Sequence, residues 1–208
     1  MSFSLSSVEN PFKKKELTFD YSKVPEKYHA TENSEEIIKL YKGGTTGFEN
    51  IGFLSNAILY DIPEEINKTK KIIETGHDEL IYELFNKHTI NQKDTPLLSA
   101  TFNPEMAQVF APTNHLYERE DKTIYQIKIE PNRCVVDYYD VGKCGQSKEF
   151  FILGAIFPEE ISAVKIINDD EHSELLEDYN GVQMIKRMPD RTSNNRKVKD
   201  SANWIYYH

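Results

Sequence analysis

Only two cysteines, Cys134 and Cys144, occur in the 208 residues. With no second pair, neither a disulfide framework nor a Cys-type metal site is expected, and two reduced thiols are. The six histidines, at 29, 77, 88, 115, 172 and 208, are dispersed without ligand spacing, so no metal is expected either. No apolar run approaches the roughly 18 residues of a bilayer span. The longest, Phe150 to Phe157, has the length of a strand, and no membrane partner is expected. The first eleven residues lack a basic stretch followed by an apolar one, which excludes a standard secretory signal. A Walker-type glycine loop, an HExxH pair and a GxSxG elbow are all missing. Positive charge is short as well: 25 Lys+Arg face 34 Asp+Glu, a formal charge of −9. That balance argues against a protein that mainly coats nucleic acid, which makes nucleic acid the less favoured partner.

What is present suits one folded domain. Twelve tyrosines and eleven phenylalanines are enough for a core. A run IIKLYKGG from Ile37 reads as a strand stopped by Gly43 and Gly44, and 47–60 as a short helix and turn around Gly52. From Pro63 to His88, Ile66, Ile72, Ile73, Leu80, Ile81, Leu84 and Phe85 recur at helical spacing, broken at Thr75-Gly76. Pro96 to Thr101 is extended, and Asn103-Pro104-Glu105 begins a helix with its cap, its N1 proline and an acid at the positive dipole end. Its buried stripe is expected at Met106, Val109 and Phe110. Ile124 to Glu130 alternates, with Tyr125, Ile127 and Ile129 on one face; Cys134 to Tyr139, Phe150 to Leu153 and Ala163 to Ile167 are further strands.

The fold class is therefore α+β, helices mostly first and a strand-rich second half. Residues 1–30 are expected as a flexible leader ordered only by packing on the body, 31–185 as the body, and 186–208 as a basic and aromatic tail. Eight acids and one base lie between Glu159 and Asp178, and six bases and one acid between Lys186 and Lys199. These are read as solvated surface and a mobile arm. The aromatic end, Trp204 to Tyr207, is expected to fold back on the body.

Three segments stand in a fixed order. The first is Leu40-Tyr41-Lys42-Gly43-Gly44, followed by Phe48 to Phe53. The second is Leu98-Ser99-Ala100-Thr101 with the helix ending Val109-Phe110-Ala111, and the third runs from Lys148-Glu149 through Gly154 to Pro158 and Ile161. Over residues 38–168 this resembles the mono-ADP-ribosyltransferase superfamily, in its bacterial toxin and effector branch with an Arg–Ser–Glu triad. There a strand ends Leu-Tyr/Phe-Arg-Gly, a second reads Ser-Thr-Ser, and a third opens Gln/Glu-x-Glu before an apolar strand. Two positions depart. Lys42 stands for the arginine and gives up its bidentate fork. Ser147 replaces the Gln or Glu two residues before Glu149, which disfavours arginine as acceptor.

The resemblance implies a fold of two small packed sheets forming an NAD cleft. NAD+ is the expected substrate, with release of nicotinamide and no metal. Glu149 and Ser99 are the catalytic candidates, the carboxylate stabilising an oxocarbenium-like state and the serine holding it. Lys42, Gly43, Gly44, Ser99, Thr101 and Phe102 are the NAD-binding candidates, and Tyr138, Tyr139, Gln146 and Ser147 line the acceptor side. The expected acceptor is a host protein side chain other than arginine, with water as default. Transfer to a nucleic acid or small molecule, or a non-catalytic host-protein-binding member of the fold, are the alternatives. A monomeric effector, secreted by bacteria into host cytoplasm without a signal peptide, is the implied setting.

Overall fold

The computed structural model describes residues 13–31, 36–45, 47–59, 62–90, 95–109, 122–141, 148–167, 173–177, 183–187 and 204–207. Two short 3-10 turns, Lys14–Leu17 and Glu26–Tyr28, precede β1 (Ile38–Thr45), α1 (Phe48–Ile51), β2 (Phe53–Leu54), α2 (Asn56–Leu59), α3 (Pro63–Glu74) and α4 (Asp78–Ile90). Then come β3 (Leu97–Thr101), α5 (Pro104–Val109), β4 (Lys122–Ile129), β5 (Cys134–Val136), β6 (Glu149–Leu153) and β7 (Ala155–Ile156). The described chain closes with β8 (Ile161–Ile167), β9 (Ser173–Glu177), β10 (Gln183–Arg187) and β11 (Trp204–Tyr206). The molecule is α+β with a main antiparallel sheet, as its sequence pattern implies.

That sheet has seven strands in the order β11-β8-β4-β1-β3-β6-β5, while β9-β10 and β2-β7 form separate pairs. Its pairing is uneven. β1 and β4 run together over eight register pairs, and β3 and β6 over five. Between β1 and β3 there is a single pair, Tyr41 opposite Thr101. The sheet is thus two halves, β11-β8-β4-β1 and β3-β6-β5, joined at one point. Their apolar faces share a core: Leu40, Tyr125, Ile127 and Ile129 from one half meet Phe150, Ile152, Cys134 and Val136 from the other. The two small sheets of the expected architecture come as these packed halves.

β6 is buried on both faces. Phe150 and Ile152 face the shared core, and Phe151 and Leu153 face a second core under the helices. α3 supplies Ile66, Thr69 and Ile73 to that core; α4 supplies Ile81, Leu84, Phe85 and His88, at i, i+3, i+4 and i+7. The break between the helices falls at Gly76, where φ is +68° and a Cβ would lie 2.9 Å from Pro25 Cγ. β4 is buried on both faces too: besides Tyr125, Ile127 and Ile129, Ile124 is covered by Ala107 of α5. On α5 it is Ala107 that is fully buried and Met106 only in part; Val109 and Phe110 lie outside the side chains described.

From Lys13 onward the stretch expected as a flexible leader is core. Leu17, Phe19, Val24 and Tyr28 are buried in the helix-side cluster. Their spacing follows neither a strand nor a helix period, because Leu17 and Tyr28 end two 3-10 turns and Phe19 and Val24 lie on the irregular chain between them, and so no periodic signal marked them. Leu17 packs where Gly154, at φ +71°, leaves room; a Cβ there would come 2.7 Å from Leu17 Cδ2. At the other end, Trp204 to Tyr206 pair with β8 and Trp204 lies against Tyr41, so the aromatic end does fold back. Cys134 is a buried free thiol, while Cys144 and the basic run 188–199 lie outside the described residues.

One buried ion pair ties these parts together. Arg133 and Glu160 are both under 2% exposed, with Nη1 and Oε1 2.9 Å apart. Glu160 also accepts from the Phe157 amide and from Lys14 of the N-terminal segment, and Arg133 donates to the Ala155 carbonyl. Removing one partner strands the other charge in the interior, at a cost of about 3–5 kcal/mol. Glu160→Ala is therefore expected to lower the urea-unfolding free energy by about that amount, and a loss under 1 kcal/mol would show the pair to be dispensable.

Candidate active site

The site forms at the seam between the two sheet halves. β1 brings Lys42, β3 brings Ser99 and Thr101, and β6 begins with Glu149. Thr101 is opposite Glu149 on one side and Tyr41 on the other, so register alone sets these positions side by side. The β1 and β3 ladders lapse beyond that pair, and Lys42 spans the gap: its Nζ donates to the Ser99 carbonyl at 3.0 Å. The same ammonium lies 5.5 Å from the centre of the Phe53 ring, which itself stacks on Phe48.

Glu149 is half-buried and costly to ionise. Burial pushes its carboxyl up to about 7, and Asp137 and Asp140 push in the same direction. The Ser99 hydroxyl, hydrogen-bonding to it, and the Lys42 charge oppose that rise. Lys42 shows the converse: burial lowers it to about 8, against the pull of Glu149. The two groups therefore exchange protons with solvent close to neutrality, where a general base is most effective.

Behind Ser99 stands His88 of α4, 1% exposed. Its Nε2 is 3.0 Å from Ser99 Oγ and its Nδ1 2.5 Å from Thr95 Oγ1. Burial, and then the Lys42 charge, hold its pKa down at about 3, so the ring is neutral.

Of the candidates, Lys42, Ser99, Thr101 and Glu149 are brought together. Gly44 is buried for a reason of packing: a Cβ would sit 3.1 Å from Phe53 and 3.2 Å from Tyr125. Gly43 stays half-exposed beside it. Phe102 is 46% exposed and set edge-on against Phe150, which leaves much of its surface open at the rim. Tyr138 and Tyr139 turn toward the start of α4, where the Tyr139 hydroxyl lies 2.7 Å from that of Tyr28. Tyr139 is thus packed into the body and Tyr138 is exposed. Gln146 and Ser147 lie outside the described residues.

Three site residues escaped the sequence reading: His88, Thr95 and Asp137. His88 continued the buried stripe of α4, a signal for burial but not for its partner. Asp137 reaches Glu149 only through pairing, its amide donating to the Glu149 carbonyl at 2.8 Å. Lys148, just before Glu149, has φ +37°, and Asp140 has φ +51°. Left-handed backbone at two non-glycine residues flanking the site is strain of the kind found where a side chain must be aimed. Among the described residues no cluster of His, Cys, Asp and Glu has the makings of a metal site, and no helix is long and apolar enough to cross a membrane.

A scan against protein-family models finds no match for this chain, and a search of curated proteins finds none. Among solved structures the chain is similar to a single-substitution form of the Scabin toxin from Streptomyces scabies. The two are 14% identical, the match covers 76% of this chain and 82% of that one, and the TM-score is 0.41.

The raised Glu149 pKa has a consequence for stability. In the folded protein the group holds its proton up to about 7, against 4.5 for the ordinary value, so folding is favoured below that window and loses support as pH rises through it. Glu149→Gln is expected to raise Tm at pH 8 and to leave it nearly unchanged at pH 4. An equal effect at both pH values would mean that ionisation carries no penalty.

Proposed function

We propose that this chain is a mono-ADP-ribosyltransferase that transfers ADP-ribose from NAD+ and releases nicotinamide. The observation that carries the reading is the meeting at one seam of Lys42, Ser99 and Glu149, from three segments more than 45 residues apart. They are a cation, a hydroxyl and a carboxylate of near-neutral pKa, and each has a task in cleaving a glycosidic bond to a cationic leaving group.

In the proposed reaction the bond between ribose C1′ and the nicotinamide nitrogen breaks, its electron pair leaving with neutral nicotinamide. The ribose becomes oxocarbenium-like, and the Glu149 carboxylate stabilises that charge. Ser99 holds the carboxylate through its hydroxyl. Lys42, short of water and already near its pKa, gains from an anion beside it and suits the pyrophosphate. The acceptor then attacks C1′ and its proton passes to Glu149, which near pH 7 is basic enough to take it. Water serves as acceptor when no other is bound, giving slow NAD hydrolysis.

The acceptor we assign is a host protein side chain other than arginine, on the strength of Ser147 in place of the acid that accompanies arginine in the resembling family. The setting, a bacterial effector acting inside another cell, rests on that resemblance. Incubation with tagged NAD+ and a host lysate, followed by mass spectrometry, is expected to locate the label on a protein residue that is not arginine. Label on RNA or DNA would instead establish the nucleic-acid alternative.

Nicotinamide release by the wild type is expected to fall at least about 10²-fold in Glu149→Ala. Its pH profile is expected to be a narrow bell. Activity rises as Glu149 loses its proton near 7 and falls as Lys42 loses its own near 8. Lys42→Arg removes the alkaline limb, because guanidinium keeps its charge. Absence of nicotinamide release from the wild type at any pH would overturn the enzymatic reading.

A further inference from the structure

The Ser99 hydroxyl has one hydrogen and two neighbours that could receive it, His88 Nε2 and the Glu149 carboxylate. Which one receives it depends on His88. An ionised carboxylate only accepts, so it requires that hydrogen. A neutral imidazole carries a single N–H, and its two nitrogens then have opposite roles. If Nε2 bears the hydrogen, it donates to Ser99 Oγ, and Nδ1 accepts from the Thr95 hydroxyl. If Nδ1 bears it, Nε2 is a lone pair that competes with Glu149 for the hydrogen of Ser99. The ring has little freedom to escape this choice, since it is buried edge-on against Phe151, with ring centres 5.0 Å apart.

We propose that His88 is a positioning residue: as the Nε2–H tautomer, accepting from Thr95 at Nδ1, it donates to the Ser99 oxygen and so reserves the Ser99 hydrogen for Glu149. The chain of donors then runs one way, Thr95 to His88 to Ser99 to Glu149, and ends on the carboxylate. No proton is transferred along it; each hydrogen stays on its own heavy atom. Its effect on the reaction rests on the reading of Glu149 as the reacting carboxylate, while the order of donors does not.

The groups facing Glu149 are Lys42 from β1, Ser99 from β3, and Asp137 and Asp140 from the turn after β5. Lys42 is the charge that acts on His88. A positive charge beside a buried imidazole opposes protonation of the ring, which keeps one nitrogen free to accept from Thr95.

Two substitutions separate the nitrogens. The amide of Gln extends to the place of Nε2 and supplies the donor to Ser99, whereas the amide of Asn lies near Nδ1 and leaves Ser99 without one. Nitrogen-15 NMR of the wild-type ring at pH 8 is expected to show Nε2 protonated and Nδ1 unprotonated, and the Nδ1–H form would overturn the proposal. Carboxyl carbon-13 NMR is expected to show the Glu149 midpoint higher in His88→Asn than in the wild type, and restored in His88→Gln. Nicotinamide release by His88→Asn is expected to drop roughly fivefold in kcat, the worth of one neutral hydrogen bond, with KM for NAD+ unchanged and the acid limb moved upward. Equal midpoints in Asn and Gln variants would also overturn it. Should no form release nicotinamide, the two NMR measurements still decide the order of donors, and only the enzymatic reading falls. The nitrogen-15 measurement does so on the wild type alone if neither variant folds.

Discussion

The two halves of the main sheet meet edge to edge at one register pair, Tyr41 opposite Thr101, and the polar centre of the molecule is arranged around what that pair leaves unpaired. A strand edge whose ladder stops inside the protein has backbone groups to satisfy. Lys42 answers one of them, donating across the seam to the Ser99 carbonyl. The packing that holds the halves together is apolar and lies to one side, in the shared core built on Leu40, Ile127, Phe150 and Ile152. The seam thus sets a few polar groups beside an apolar core. It is a place where charges are few, dry and strongly coupled.

That dryness explains why the site groups have near-neutral pKa values. In water, Lys42 and Glu149 would ionise far apart on the pH scale; at the seam burial moves them toward each other, to about 8 and about 7. Their mutual attraction opposes the shifts without cancelling them, because burial is the larger effect on both; Asp137 and Asp140 add to it on the Glu149 side. The protein thus holds an acid whose charged form is destabilised, and the Ser99 hydroxyl and the Lys42 charge limit that cost. Elsewhere the interior treats charge differently. Arg133 and Glu160 are paired at 2.9 Å and bonded further to backbone, so there each charge meets an opposite one and the pair serves to fix the fold.

Much of this was legible in the residues, and the part that was not has a common cause. Lys42 lies within β1, which runs on through Gly43 and Gly44 to Thr45, Ser99 lies within β3 and Glu149 opens β6. Their fixed order is a local pattern that survives without knowledge of the topology. The positions of the main-sheet strands up to β8 and of the two long helices followed from period, down to the break at Gly76, whereas β9 and β10 lie where the charge pattern was read as solvated surface and a mobile arm. What depends on how elements lie against one another was hidden. His88 could be read as buried but not as the partner of Ser99, since that needs the placement of α4 on β3. Leu17, Phe19, Val24 and Tyr28 carry no period and read as leader until Gly154 is seen to make room for Leu17.

Lys42 is the residue at which the structural and chemical demands cannot be separated. Its bond to the Ser99 carbonyl joins β1 to β3 beyond their register pair, and the same atom carries the positive charge that acts on Glu149 and His88. A substitution that removes the ammonium would therefore loosen the seam and raise the cost of the Glu149 charge together, whereas one at Glu149 relieves a buried charge and leaves the seam bonded. Both charges thus carry a cost of burial, but only the Lys42 ammonium also bonds the seam. That asymmetry follows from which of them the fold uses as a brace.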